Sequence, residues 1–206
     1  MKKIIKRLIG ITLIIGVTFI AGFIILLTVL MKNDQDKVQV QSVKSHSVEQ
    51  FIGEIGESAR ELAGKNDLYA SVLLAQAILE SDRGRSGLAA EPNFNLFGMK
   101  GKYKEASVKL KTEEDDGDGN MTTVVAEFRK YPSHEASIED YIKLLREGVS
   151  WDEAFYAGTF KSNTASYQEA TAFLTGTYAT DSSYEEKLND LIKQYDLDQY
   201  DLPAEY

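Results

Sequence analysis

Apolar and polar positions divide the chain into a long uncharged run, a polar spacer and a series of amphipathic stretches. Leu8 to Met31 holds 24 residues without a charge. As a helix rising about 1.5 Å per residue it reaches roughly 36 Å, enough to cross a hydrocarbon core of about 30 Å with some tilt. Lys2, Lys3, Lys6 and Arg7 precede it, which favours an N-terminus inside and the rest of the chain outside. A cleaved signal peptide has a shorter apolar region closed by a small-x-small site, whereas this run ends Val29, Leu30, Met31, Lys32. The pattern predicts residues 1–7 as a basic cytoplasmic segment, 8–31 as an uncleaved transmembrane signal-anchor helix, and the polar, aperiodic residues 32–46 as an extracytoplasmic stalk.

From Ser47 the periodicity becomes helical. Val48, Phe51, Ile52, Ile55, Ala59 and Leu62 recur at core spacing behind a Ser47–Gln50 capping box, with Gly64 as the stop. Val72 to Leu79 is apolar except for Gln76, too apolar all round for a surface helix, so a buried helix ending by Gly84 is predicted. Glu91 to Gly101, rich in Pro, Asn and Gly, reads as a loop that Phe94, Leu96 and Phe97 anchor on the core. Ser107 to Thr112 alternates, and Met121 to Tyr131 has strand composition. The turn-rich run between them predicts a β-hairpin with Asp116 to Asn120 at its tip. Ser133 to Gly148 reads as a helix with an Ile138, Tyr141, Ile142, Leu145 stripe and a possible cap in Ser137 and Asp140. Trp151 to Ala157 suggests a short helical piece, with Trp151 expected in the core and ring stacking on a ligand as the alternative. Capping boxes are expected at Ser166–Glu169, for a helix through Leu174 closed at Gly176, and at Ser183–Glu186, for a last helix carrying Leu188, Leu191 and Ile192. The tail, residues 196–206, is acidic and expected to fray. Residues 47–195 thus form one mainly helical α+β domain with a small β lobe.

Charge and composition narrow the chemistry. The net charge is −9, and every Asp and Glu lies beyond residue 32. An acidic surface excludes a phosphate-backbone partner such as nucleic acid and suits a neutral ligand. Without Cys and with two His, there is no disulfide, no thiolate nucleophile and no zinc site of the common kinds. Asp116, Asp118, Asn120 and Glu127 imitate a calcium loop, but Met121 stands where that loop requires Gly and strands flank it. No metal and no cofactor are expected. The chain has no G-x-S-x-G elbow, no phosphate loop and no G-x-G-x-x-G.

Glu80 is the residue in which these constraints meet. At the end of a buried helix its carboxylate faces the negative end of the helix dipole and is partly desolvated. Both effects raise its pKa, as a general acid requires. The alternative is an exposed C-terminal residue paired with Arg83 or Arg85.

Around Glu80 the blocks AQAILES with a following Gly, PNFNLFGMKG, Thr112-Glu113, AEFRKY and YATDSSYEEKL occur in series. This series, from Ser47 to Gln194, resembles the glucosaminidase family of peptidoglycan hydrolases (glycoside hydrolase family 73, lysozyme superfamily). The resemblance implies a lysozyme-like fold and an endo-β-N-acetylglucosaminidase that cuts β-1,4 links of peptidoglycan glycan strands. It makes Glu80 the acid and places the second catalytic carboxylate at Glu113, with Glu114 its neighbour. It also implies that Asn95 and Phe97, in the Asn-Leu-Phe-Gly block, and Tyr178 line the sugar cleft. Asp181 reads as a turn residue. Family members usually carry an aromatic residue where this chain has Arg83, which leaves ring stacking at that point in question. Cleavage after N-acetylmuramic acid and a non-catalytic, membrane-tethered wall-binding module are the alternatives. The expected location is the cell membrane, single-pass, with the catalytic domain outside. The anchor could also dock cell-wall synthesis or division partners.

Overall fold

Ser47 opens the first helix as its sequence predicts. In the computed structural model, which describes residues 47–115 and 121–203, Gln50 donates its backbone N–H to Ser47 Oγ at 3.2 Å and accepts the Ser47 N–H on its own side chain at 3.1 Å. Helix α1 (Val48–Lys65) runs one residue past Gly64, and Asn66 closes it by donating Nδ2 to Leu62 O at 2.7 Å. Phe51, Ile55, Ala59 and Ala63 form its fully buried stripe. Helix α2 (Ala70–Glu80) lies at the centre, with Leu79 its only residue that is not buried. Burying each large apolar side chain stabilises by roughly 1.5–3 kcal/mol, so α2 seats itself by packing rather than by propensity.

The β lobe is a two-stranded antiparallel hairpin, β1 (Ser107–Asp115) and β2 (Met121–Arg129), in register from Ser107↔Arg129 to Asp115↔Met121. Its expected tip, Asp116 to Asn120, lies outside the described residues, as do the calcium-like positions there. Arg129 at its base pairs with Asp140 of helix α3 (His134–Glu147), and Tyr131 also donates to that carboxylate, at 2.6 Å. The expected cap of α3 moves accordingly. Ser133 is the cap, accepting from Ala136 N at 3.2 Å, while Ser137 is buried and accepts from Leu96 N at 3.1 Å.

Helices α4 (Tyr167–Leu174) and α5 (Tyr184–Gln194) complete the bundle. Neither predicted capping box forms. Glu169 instead accepts from Ala165 N at 2.8 Å, and Ser183 Oγ turns to Asp181 at 2.7 Å. Trp151 to Ala157 is a run of tight turns, followed by 3-10 turns at Ala157–Thr159 and Lys161–Asn163. The tail does not fray within the described residues. Leu197 is fully buried, and the 3-10 helix Leu197–Asp201 docks on α1 and α2. Arg60 donates to the carbonyls of Gln199 and Leu202 at 2.7 Å each.

The predicted membrane span and stalk, residues 8–46, lie outside the described residues. Among the described residues no helix is long and apolar enough to cross a membrane.

Candidate active site

Helix α2 carries Glu80 at its last turn and buries it, leaving 5% exposed. Burial pushes the carboxyl up to about 7, against a hydrogen bond from Tyr184 and the nearby charge of Lys187, which pull the other way. Neither Arg83 nor Arg85 pairs with it. Arg85 bonds Asp82 at 2.8 Å instead. Three consecutive left-handed residues, Asp82, Arg83 and Gly84, turn the chain sharply away from Glu80. Gly84 is needed there, because a Cβ would meet the Phe51 ring at 2.7 Å. The exposed Arg83, where the family pattern has an aromatic residue, points its bulk away from the core.

A directional hydrogen-bond chain ends on Glu80. Tyr141 Oη donates to Gln76 Oε1 at 3.0 Å, Gln76 Nε2 donates to Tyr184 Oη at 3.1 Å, and Tyr184 Oη donates to Glu80 Oε1 at 2.8 Å. Burial raises the pKa of Tyr141 and Tyr184 well above the usual value, so both remain protonated donors. Each link fixes the next: the Gln76 amide is oriented by Tyr141, and Tyr184, already accepting from Gln76, turns its own proton to Oε1. The Tyr184 hydroxyl thus occupies Oε1 of the carboxyl. Gln76 lies one turn before Glu80 on the same face. It is the one polar residue in an apolar run, the signal by which the sequence could have singled it out. Nothing local pointed to Tyr184 as its partner 108 residues away.

Tyr178 packs beside the hydrogen-bond chain that ends on Glu80. Its ring lies 5.9 Å from that of Tyr184 and 5.6 Å from that of Tyr141. It is only 3% exposed, yet it forms a wall of a groove of about 290 Å³ whose other walls include Met99, Arg129, Val149 and Trp151. Tyr178 thus stands between the Tyr141 and Tyr184 rings and this groove, and Glu80 itself is not among the groove's walls. Trp151 does not enter the core as expected: it is 40% exposed on the groove rim.

The sequence expectation for Asn95 and Phe97 is corrected. Asn95 is fully buried, donating Nδ2 to Met99 O at 2.9 Å and Arg129 O at 2.8 Å while Oδ1 accepts from Met99 N at 2.9 Å. With its amide committed to the protein it pins the loop to the base of β2 and offers nothing to a ligand. Phe97 is also fully buried, stacked on Tyr141 with ring centroids 4.0 Å apart. It supports the hydrogen-bond chain from behind. Glu113 has its backbone on β1 opposite Thr123 and Glu114 opposite Thr122; the side chains of both lie outside the described residues. Asp181 is the turn residue the sequence suggested. It accepts from Ser183 N at 2.9 Å and from Lys187 Nζ at 2.5 Å, and these bonds hold its carboxyl at about 2, permanently charged at neutral pH.

No group of three or more His, Cys, Asp or Glu suited to a metal ion occurs among the described residues. The chemistry available is that of a buried carboxyl with a raised pKa, backed by a hydrogen-bond chain, with Tyr178 between that chain and a groove.

Comparison with known proteins agrees with that chemistry. A family model described as "Glucosaminidase: Mannosyl-glycoprotein endo-beta-N-acetylglucosaminidase" matches residues 56–197. The probable N-acetylmuramidase of Lactococcus lactis subsp. cremoris is 42% identical over 190 residues, covering 92% of this chain and 43% of that protein. Exo-glucosaminidase LytG of Bacillus subtilis (strain 168) is 37% identical over 201 residues, covering 97% of this chain and 69% of that protein. The crystal structure of the catalytic domain of the autolysin Auto from Listeria monocytogenes superposes with a TM-score of 0.72 at 43% identity, covering 87% of this chain and 97% of that one. The chain spans less than half the length of the first curated relatives it matches.

Proposed function

The chain belongs to the glucosaminidase family of glycoside hydrolases, and we propose that it cuts β-1,4 links in the glycan of peptidoglycan, as an endo-β-N-acetylglucosaminidase with Glu80 as general acid. One observation carries the assignment: a carboxyl at the end of a buried helix, raised by burial to about 7 and held by Tyr184. Such a group is substantially protonated at neutral pH and can give its proton to the leaving glycosidic oxygen. With Tyr184 occupying Oε1, Oε2 is the oxygen that delivers it.

Glu113 takes the second role, as base for the attacking water or as stabiliser of the oxocarbenium-like transition state. The family resemblance supports this assignment. Its place near the far end of a two-stranded lobe lets hinge motion bring it towards Glu80 when glycan binds. A carboxyl separation of roughly 6.5–9.5 Å goes with inversion and about 5–5.5 Å with retention, and proton NMR of the first-formed anomer distinguishes them. Residues 8–31 anchor the enzyme to the membrane, with the catalytic domain on the outer face.

A second assignment, cleavage after N-acetylmuramic acid, is favoured by the Lactococcus relative's name; the Bacillus relative's name raises exo action. The test is digestion of purified wall followed by borohydride reduction and mass spectrometry. Reduced N-acetylglucosamine ends on fragments of mixed length support the proposal, reduced N-acetylmuramic ends support the second, and disaccharide alone indicates exo action. Glu80→Gln should release essentially nothing; release equal to wild type would overturn the catalytic assignment.

A further inference from the structure

We infer that Trp151 is a sugar-stacking platform that seats an uncharged pyranose ring of the glycan in the groove beyond Tyr178; this rests on the proposed glycan hydrolysis. Three large apolar side chains are well exposed among the described residues, and of these only Trp151 lines the groove. Its exposure is built in. Val149 and Asp152 exchange both backbone hydrogen bonds at 2.9 Å, so Ser150 and Trp151 occupy the tip of a tight turn. Turn tips usually take Gly, Asn, Asp or Ser, and an indole held there keeps apolar area in water without any return in folding stability. The turn is also packed hard against its own base. Gly148, at φ +69°, has no room for a side chain, because a Cβ would lie 2.4 Å from Asp152 O. Behind the indole runs a ladder of rings, Phe155 at 6.5 Å and 71°, then Tyr156 at 4.9 Å and 89°. Tyr156 is buried and forms part of the groove wall. The fold thus fixes the indole's position from inside and leaves two-fifths of it open.

The groove's chemistry selects the partner. Met99, Leu144 and Val149 give it an apolar lining, and its two cationic residues are already engaged: the Arg129 guanidinium faces Asp140, and Lys100 has an interaction of its own within the protein. What fits such walls is a ring with an apolar C–H face and neutral polar edges. A volume of about 290 Å³ lies at the lower edge of the range for small-ligand sites.

The chain has one tryptophan, so indole emission reports on this position alone. The Glu80→Gln protein, which cannot consume the ligand, is titrated with peptide-free glycan strands prepared from peptidoglycan, following emission and, in parallel, heat. A saturable emission change is expected, with the calorimetric Kd weakened on the order of tenfold by Trp151→Ala and largely recovered in Trp151→Phe. With Glu80 intact, Trp151→Ala should raise KM by a similar factor and leave kcat and the pH profile in place, because the ring grips substrate and transition state alike. Heat of binding without any emission change, or an unchanged Kd in Trp151→Ala, would overturn the inference while wall hydrolysis by the wild type stands. If the wild type neither cuts wall nor binds strands, the hydrolase assignment fails and this inference with it. Should Trp151→Ala unfold, emission in the Glu80→Gln protein and the Kd of Trp151→Phe still decide.

Discussion

Two opposing forces act on Glu80. Burial disfavours its charged form, and the Tyr184 hydroxyl favours it. Since the acid must be protonated to work, wall cutting should fall as pH rises through about 7. Tyr184→Phe removes the donor that favours the carboxylate, so the alkaline limb of the kcat profile should move to higher pH even as the rate drops. A limb that moves to lower pH would show that Tyr184 does not donate to Glu80. The same raised pKa has a stability consequence. Between the unfolded value near 4.5 and the folded value near 7, the native state binds more protons than the unfolded chain, so stability falls as pH rises through that window. Fully ionised, Glu80 costs the fold on the order of 3 kcal/mol. Glu80→Gln should therefore be more stable than wild type at pH 8 and closely similar at pH 4, as measured by urea unfolding. Activity and stability are in conflict at this one side chain.

Helix α2 bears a carboxylate at each end, and the two have opposite consequences. Its own cap position, Tyr69, makes no side-chain bond. Asp201, 130 residues away, supplies the missing acceptor, taking Ser71 N at 3.0 Å and Ser71 Oγ at 2.6 Å. A negative group there satisfies an orphan donor and complements the helix dipole. Asp201→Ala should cost roughly 1–2 kcal/mol, as a lost N-cap does, with Asp201→Asn losing less; chemical denaturation with circular dichroism checks this. No local pattern hinted at this contact, because the tail's composition is that of a loose end. The failed boxes at Ser166 and Ser183 teach the same lesson. Both motifs were present, but Glu169 took the Ala165 N–H and Ser183 Oγ turned to the Asp181 carboxylate. At Ser47, with little nearby to compete, the box formed as read.

On the scale of the molecule, a groove runs beside a helical body that holds the acid, with the hairpin base contributing Arg129 to its wall. The hairpin whose β1 would carry the second carboxylate leaves that body through Ser107 of β1 and Arg129 of β2. If residues 8–31 act as the proposed anchor, the full chain should sediment with membranes after carbonate washing, and the domain should be cut by protease added from outside. Recovery in the soluble fraction would remove the anchor from the proposal.

The order of elements, the buried character of α2 and the hairpin were set by the sequence, because periodicity and turn residues act within a few residues; the raised carboxyl at Glu80 follows from the burial that packing gives it. The direction of the hydrogen-bond chain, the spent amide of Asn95, the open indole of Trp151 and the cap from Asp201 were decided only by the tertiary structure. Each depends on which partner, far away in sequence, reaches a polar or apolar group first, and burial then makes that choice binding.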